Sequence, residues 1–186
     1  MFYYMNKISI KKEKFTVKSL LYSLVLAIIL SIIFIIFVKD YEILLKTPIN
    51  DIKRLGITVS VILFFFIQLL GIIIHEIIHG LFSIYFTKDV KAIKFGFIPK
   101  YLIFYCHCNK PLYVNNYIVM VIAPFLLMGI IPFFLGIMFY NFYAILFGFI
   151  FTIIGVGDLY IVYLVLSNYK KKFIKDSPTE IGGEYV

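Results

Sequence analysis

Tryptophan is absent from this 186-residue chain, cysteine occurs twice, and acidic residues number only ten. The two cysteines, Cys106 and Cys108, are one residue apart, which excludes the spaced framework of a disulfide-stapled domain. Without tryptophan, aromatic bulk rests on 21 Phe and 15 Tyr, and the Phe residues inside apolar runs read first as packing or lipid-facing groups. The shortage of acid leaves a net charge of +8. A basic excess can serve nucleic acid, but here the lysines sit in short flanks between apolar stretches. That placement fits membrane orientation and anionic lipid headgroups, not a nucleic-acid partner. There is no internal repeat and no low-complexity segment outside the apolar runs.

What the chain does have is apolar length. Its hydrophobic content is 62%, against roughly 45–50% in soluble domains. Four segments reach the roughly 20 residues that a bilayer crossing needs: 19–38, 56–86, 117–140 and 142–167. The first follows a basic N-terminus with Lys7, Lys11, Lys12, Lys14 and Lys18; its run is too long for a cleaved signal, and no small-residue cleavage site precedes Lys39. Asn141 alone separates the last two spans, which predicts a tight helical hairpin, and Pro124 and Pro132 are expected to bend the third. The expected fold is therefore an all-α polytopic membrane protein, one domain over 1–186, with a polar cytoplasmic tail at 168–186. Lysine-rich termini and a lysine-rich 88–112 connection place both termini in the cytoplasm. Within that connection, Val90–Phe97 and Tyr101–Cys108 are rich in β-branched and aromatic residues and are interrupted by Gly96 and Pro99, which predicts a short β-hairpin.

Ionisable groups are nearly missing from the spans. Of ten acidic residues only Glu76 and Asp158 lie well inside them, and of three histidines only His75 and His79. His75-Glu76-Ile77-Ile78-His79 places two imidazoles at i and i+4, on one face of a helix, where both can ligate one metal ion. Glu76, next to the first histidine, is placed to take a proton from a water rather than to bind metal. Asp158 is the candidate third ligand. It lies 12 residues before Lys170, and the histidines lie 13 and 9 residues before Lys88, so at about 1.5 Å per residue all three share one level of the membrane. Gly155 and Gly157 flank Asp158 and allow close helix approach. Each group also has a plainer reading: a lone intramembrane Asp can be a proton relay or an interhelical bond, and a His pair can be interhelical glue. Cys106-His107-Cys108 has one residue between its thiols, short of zinc-site spacing, and reads as reduced thiols beside a surface histidine. Gln68, two turns before His75, reads as an interhelical hydrogen bonder.

HEIIHG, the CHCNKPL stretch before the third span, GVGDL and the SPTEIGGEYV tail together resemble a family of small bacterial membrane proteins described as zincin peptidases. The likeness covers roughly Gly71 to Val186. More broadly the chain is similar to intramembrane site-2 protease metallopeptidases, although those carry their aspartate in a Pro-Asp-Gly context and this chain has Gly157-Asp158-Leu159. The resemblance implies a site-2-protease-like core, zinc held by His75, His79 and Asp158, and Glu76 as general base. It also implies a membrane protein or peptide as substrate. The competing expectation is a catalytically silent metal-binding membrane protein that scaffolds partners. A transporter is disfavoured, since four spans without an inverted repeat offer no two-sided pathway.

Overall fold

Apolar side chains face outward over most of this molecule. The structure is a computed structural model that describes residues 7–9, 12–98, 103–167, 172–176 and 182–186. A short strand β1 (Lys7–Ser9) leads into helix α1 (Lys12–Phe37), along which Leu20, Leu24, Ile32 and Ile36 are half exposed or more. Helix α2 (Tyr41–Leu55) follows, and then α3 (Ile57–Thr87), 31 residues long. In α1 and α3 only 6% of the most apolar window is buried, so most side chains there face outward. Helices that are apolar all round and yet uncovered belong in hydrocarbon.

The charged connection between the first two spans is a helix, not a loop. Leu44 and Pro48, four residues apart on α2, share one face and are buried, Leu44 in a cluster with Leu30, Val38, Phe133 and Ile145. The remaining faces carry Glu42, Lys53 and Arg54, and Asp51 accepts a hydrogen bond from Tyr143 Oη (2.5 Å).

At the end of α3 the backbone turns left-handed at Lys88 (φ 54°), and Asp89 caps a 3-10 turn at Val90–Ala92. The predicted hairpin then forms from β2 (Ile93–Ile98) and β3 (Ile103–Cys108), antiparallel, with Gly96 opposite Tyr105 and Phe95 opposite Cys106. Lys110 Nζ pairs with Asp89 at 2.8 Å across the open end of the hairpin. Gly96 sits inside β2, while Pro99 lies outside the described residues. Strand β4 (Leu112–Tyr113) leads into α4 (Val114–Pro124), a π-helical turn (Phe125–Ile130) and α5 (Ile131–Met138). The π turn begins right after Pro124, which has no N–H to give to the helical ladder.

Helices α6 (Phe142–Ile154) and α7 (Val156–Ser167) replace the single continuous span expected there. They meet at a 41° bend around Gly155, where a Cβ would stand 2.9 Å from Cδ2 of Phe125. Among the described residues, three helical stretches are thus long and apolar enough to cross a membrane, and four when the bent pair counts as one.

The tail is a further correction. Residues expected to form a polar cytoplasmic extension instead supply β5 (Phe173–Asp176) and β6 (Gly182–Tyr185). These lie in an antiparallel sheet of order β1-β6-β5-β4, so the two ends of the chain pair directly, Lys7 opposite Glu184. Ile174 and Tyr185 are buried in the larger core with Cys108, Tyr117, Met120 and Val165, and Tyr185 Oη donates to the Val165 carbonyl at 2.7 Å. The intervening 177–181 segment lies outside the described residues.

Candidate metal centre

On α3, His75 and His79 project from one face toward α4 and α7, with His75 only 6% exposed. The bend at Gly155 starts a new helix just before Asp158, which puts that carboxylate in the first turn of α7, where the positive end of the helix dipole favours its charge. Asp158 Oδ2 stands 3.1 Å from His75 Nε2 and 3.7 Å from His79 Nε2. The two imidazoles meet edge to face, ring centroids 4.9 Å apart. One donor atom from each of the three residues lies within 4.8 Å of the other two. The three residues picked out by depth along the sequence are therefore brought together.

The donor chemistry fits a cation. His79 Nδ1–H donates to the Met120 carbonyl at 3.0 Å, which leaves the lone pair of Nε2 facing a carboxylate oxygen. Two electron-pair donors directed at each other repel unless a positive centre lies between them. Asp158 Oδ2 is buried and, despite its closeness to both rings, has no aligned hydrogen bond among the described residues. Two imidazoles and one carboxylate make up a three-ligand zinc set that leaves a fourth position open. The hydrogen bond to Met120 is the outer support that fixes the orientation of a ligating ring. The ring of His75 has no such support, since its Nδ1 is buried without a partner among the described residues. Ser83, one turn beyond His79, also holds Met120, its Oγ lying 2.8 Å from the sulfur.

Glu76, next to His75 on α3, reaches the hairpin. Its carboxylate takes a hydrogen bond from the backbone of Cys106 and remains within electrostatic reach of His75, His79 and Asp158. Cys108 N–H, two residues along β3, donates to Asp176 Oδ2 at 2.9 Å. The outward edge of β3 is thus held by two carboxylates from distant parts of the chain. Asp176 is also hydrogen-bonded by Tyr117, and His107 Nδ1 stands 3.9 Å from it. Burial keeps the Asp176 carboxyl above its ordinary range. Burial, with the nearby charges of Glu76 and Asp176, pushes the Cys106 thiol up to about 12.

Some features of the site differ from the sequence expectation. His107 is not a surface histidine: its side chain is 14% exposed. Cys106 and Cys108 are free thiols, as expected. Gln68 buries its Oε1 without a hydrogen-bond partner among the described residues, so the expected interhelical bond is not made at that atom. Met120, Tyr117 and Asp176 were not anticipated. Met120 acts through its carbonyl, which no side-chain pattern reveals, and Asp176 lies in a segment that reads as a charged tail.

The family described as "Putative zincin peptidase" matches residues 68–174, more than half of the chain and all three convergent donors together with Glu76. Neither curated proteins nor solved structures returned a match.

Proposed function

Since the chain belongs to the zincin peptidase family, whose chemistry uses zinc, we propose that it is an intramembrane metallopeptidase hydrolysing peptide bonds of membrane-associated substrates. One observation carries the reading: two histidine nitrogens and a carboxylate oxygen converge within 4.8 Å of one another on helices whose outer faces are apolar. In this reading His75, His79 and Asp158 hold the metal. Bound zinc supplies Lewis acidity, polarising a carbonyl and acidifying a water. Glu76 takes a proton from the attacking water on one carboxylate oxygen. The water oxygen bonds to the carbonyl carbon, the C–N bond breaks, and Glu76 returns the proton to the leaving amine. Met120, through its carbonyl, keeps the His79 lone pair aimed inward. A substrate span unwinds locally and lies extended beside the hairpin, where strand edges offer backbone partners.

A site-2-protease-like core and four spans with both termini cytoplasmic complete the reading. The four-stranded sheet supports the count. It joins the segment before α1, the segment before α4 and the segment after α7, so these ends share one side. That arrangement requires an even number of crossings, with α6 and α7 forming one. Lysine-rich flanks favour the cytoplasm as that side.

The test is Glu76→Gln in the purified, zinc-loaded full chain. Zinc stoichiometry should stay near that of the wild type, while cleavage of a single-span reporter in liposomes should fall by about 10²–10⁴-fold. Undiminished proteolysis overturns the mechanism. A wild type that holds zinc and cleaves nothing leaves the silent metal-binding scaffold.

A further inference from the structure

Behind Glu76 lies a second feature that metal binding does not require. Ile73 and Ile77, one turn apart on α3, face Phe95 and Gly96 of β2 and Phe104 and Tyr105 of β3 across a cavity of about 170 Å³. Its walls are apolar, and among the described residues that line it Glu76 carries the one charged group. The cavity exists because of a glycine. Gly96 lies opposite Tyr105, whose ring folds over it so closely that a Cβ at position 96 would stand 2.2 Å from the ring. Gly80, one turn past Ile77, lets Phe95 sit against α3 in the same way, 2.5 Å from a Cβ there. The hairpin therefore lies flat on α3 at one end and leaves a hollow at the other, beside Glu76. The rim is accessible, with Ile77 and Tyr105 each more than two-fifths exposed.

We propose that this hollow is the specificity pocket, receiving a large apolar side chain of the substrate next to the scissile bond. The proposal rests on the peptidase reading and adds the substrate class: extended segments with Leu, Ile or Phe beside the cut. Glu76 carries the argument. The same carboxylate lines the hollow and belongs to the residue next to His75 and one turn before His79 on α3, so what fills the hollow lies beside the candidate metal centre. Size agrees. An apolar protein cavity of about 150 Å³ accommodates a benzene ring, so about 170 Å³ suits a branched aliphatic or phenyl group. An acidic side chain would enter apolar walls beside a carboxylate of like charge, without a partner.

The experiment uses the zinc-loaded full chain in detergent and peptides that differ at one position: Ala, Leu, Phe or Asp beside the cleavable bond. Wild type should cleave the Leu and Phe peptides at least ~10-fold more efficiently than the Ala peptide, in kcat/KM, and should leave the Asp peptide uncut. Ile77→Phe fills the hollow and should reverse the order, favouring Ala. Phe104→Ala enlarges it from the hairpin side and should strengthen the preference for Phe over Leu, which keeps the test decisive if the α3 variant does not fold. Binding of the same peptides to Glu76→Gln, by fluorescence anisotropy, separates the two claims. Cleavage without side-chain preference, or preference that neither pocket variant moves, overturns the pocket and spares the peptidase. No cleavage, with the Leu-over-Ala binding preference intact in Glu76→Gln and lost in Glu76→Gln/Ile77→Phe, overturns the peptidase and supports the pocket. Equal or absent binding of all peptides overturns the pocket.

Discussion

His79 gives its Nδ1 proton to the backbone carbonyl of Met120, 41 residues away in the chain and 3.0 Å away in space. A carbonyl cannot be lost by side-chain substitution, so this support for the ring does not depend on which residue occupies position 120. It also fixes α4 as part of the site although no α4 side chain lies among the three convergent donors.

Removing any one donor should therefore release the metal, and unequally. Asp158→Ala, His75→Ala and His79→Ala should each weaken zinc by more than the 10–100-fold that loss of an outer support costs. His75, whose Nδ1 has no partner among the described residues, should tolerate replacement by another ligand better than His79, whose ring is already oriented. Zinc per chain after dialysis at graded free zinc measures this. Stoichiometric zinc in Asp158→Ala would remove the carboxylate from the ligand set.

The α5–α6 crossing offers a test remote from the metal. A Cβ on Gly148 would stand 2.2 Å from the backbone nitrogen of Phe133, a contact with no flexible side chain to give way. Gly148→Ala should destabilise the fold by about 1–3 kcal/mol, the usual cost of overpacking. Thermal unfolding in detergent should show a lower midpoint, while chains that remain folded keep one zinc each.

Cys106 should be inert. A thiol with a pKa of about 12, against 9.0 for an unperturbed one, holds about a thousandfold less thiolate at any pH below both. N-ethylmaleimide at about pH 8 should label it only after denaturation. Rapid labelling of the folded chain would place the thiol in a more open setting than the hairpin provides.

Asp176 gives the chain a pH dependence of definite sign. Its carboxyl is raised from 3.8 because burial disfavours the charged form. The stabilisation from its bound proton is complete below that ordinary value and is lost as pH rises through the raised one. Asp176→Asn, neutral throughout, should show a smaller fall in unfolding midpoint between about pH 4 and about pH 7 than wild type does. An unchanged pH profile would remove Asp176 as its source.

Much of the site was legible because intramembrane charge is so scarce. Once His75, His79 and Asp158 were the candidates, helical rise alone put them at one level, and the structure places their donor atoms together. The hairpin was legible through its β-branched and aromatic runs. Three things were not. Helix α2 is masked by its charges, because the Leu44–Pro48 face that packs is only two residues wide. The break at Gly155 lies within an unbroken apolar run and depends on Phe125, thirty residues earlier. The terminal sheet joins strands of two to four residues from opposite ends of the chain, and pairing at such separation leaves no local pattern.

The hairpin has one further consequence. Glu76 lies 11 residues before the end of α3, about 16 Å along its axis, and β3 reaches back to that level to hydrogen-bond it. Because Cys106 turns its N–H group away from β2, its cross-strand partner Phe95 turns its own away from β3, whereas Ile93 N–H is taken up by the Val90 carbonyl. An open strand edge at that depth cannot be sealed by acyl chains, which offer it no hydrogen bonds. On the proposed metallopeptidase reading, the bilayer is indented beside the hairpin, forming a wet inlet on one flank of α3. Hydrolytic water then enters on the carboxylate side of the helix, where solvent can replace the hydrogen bonds that an unwinding substrate gives up.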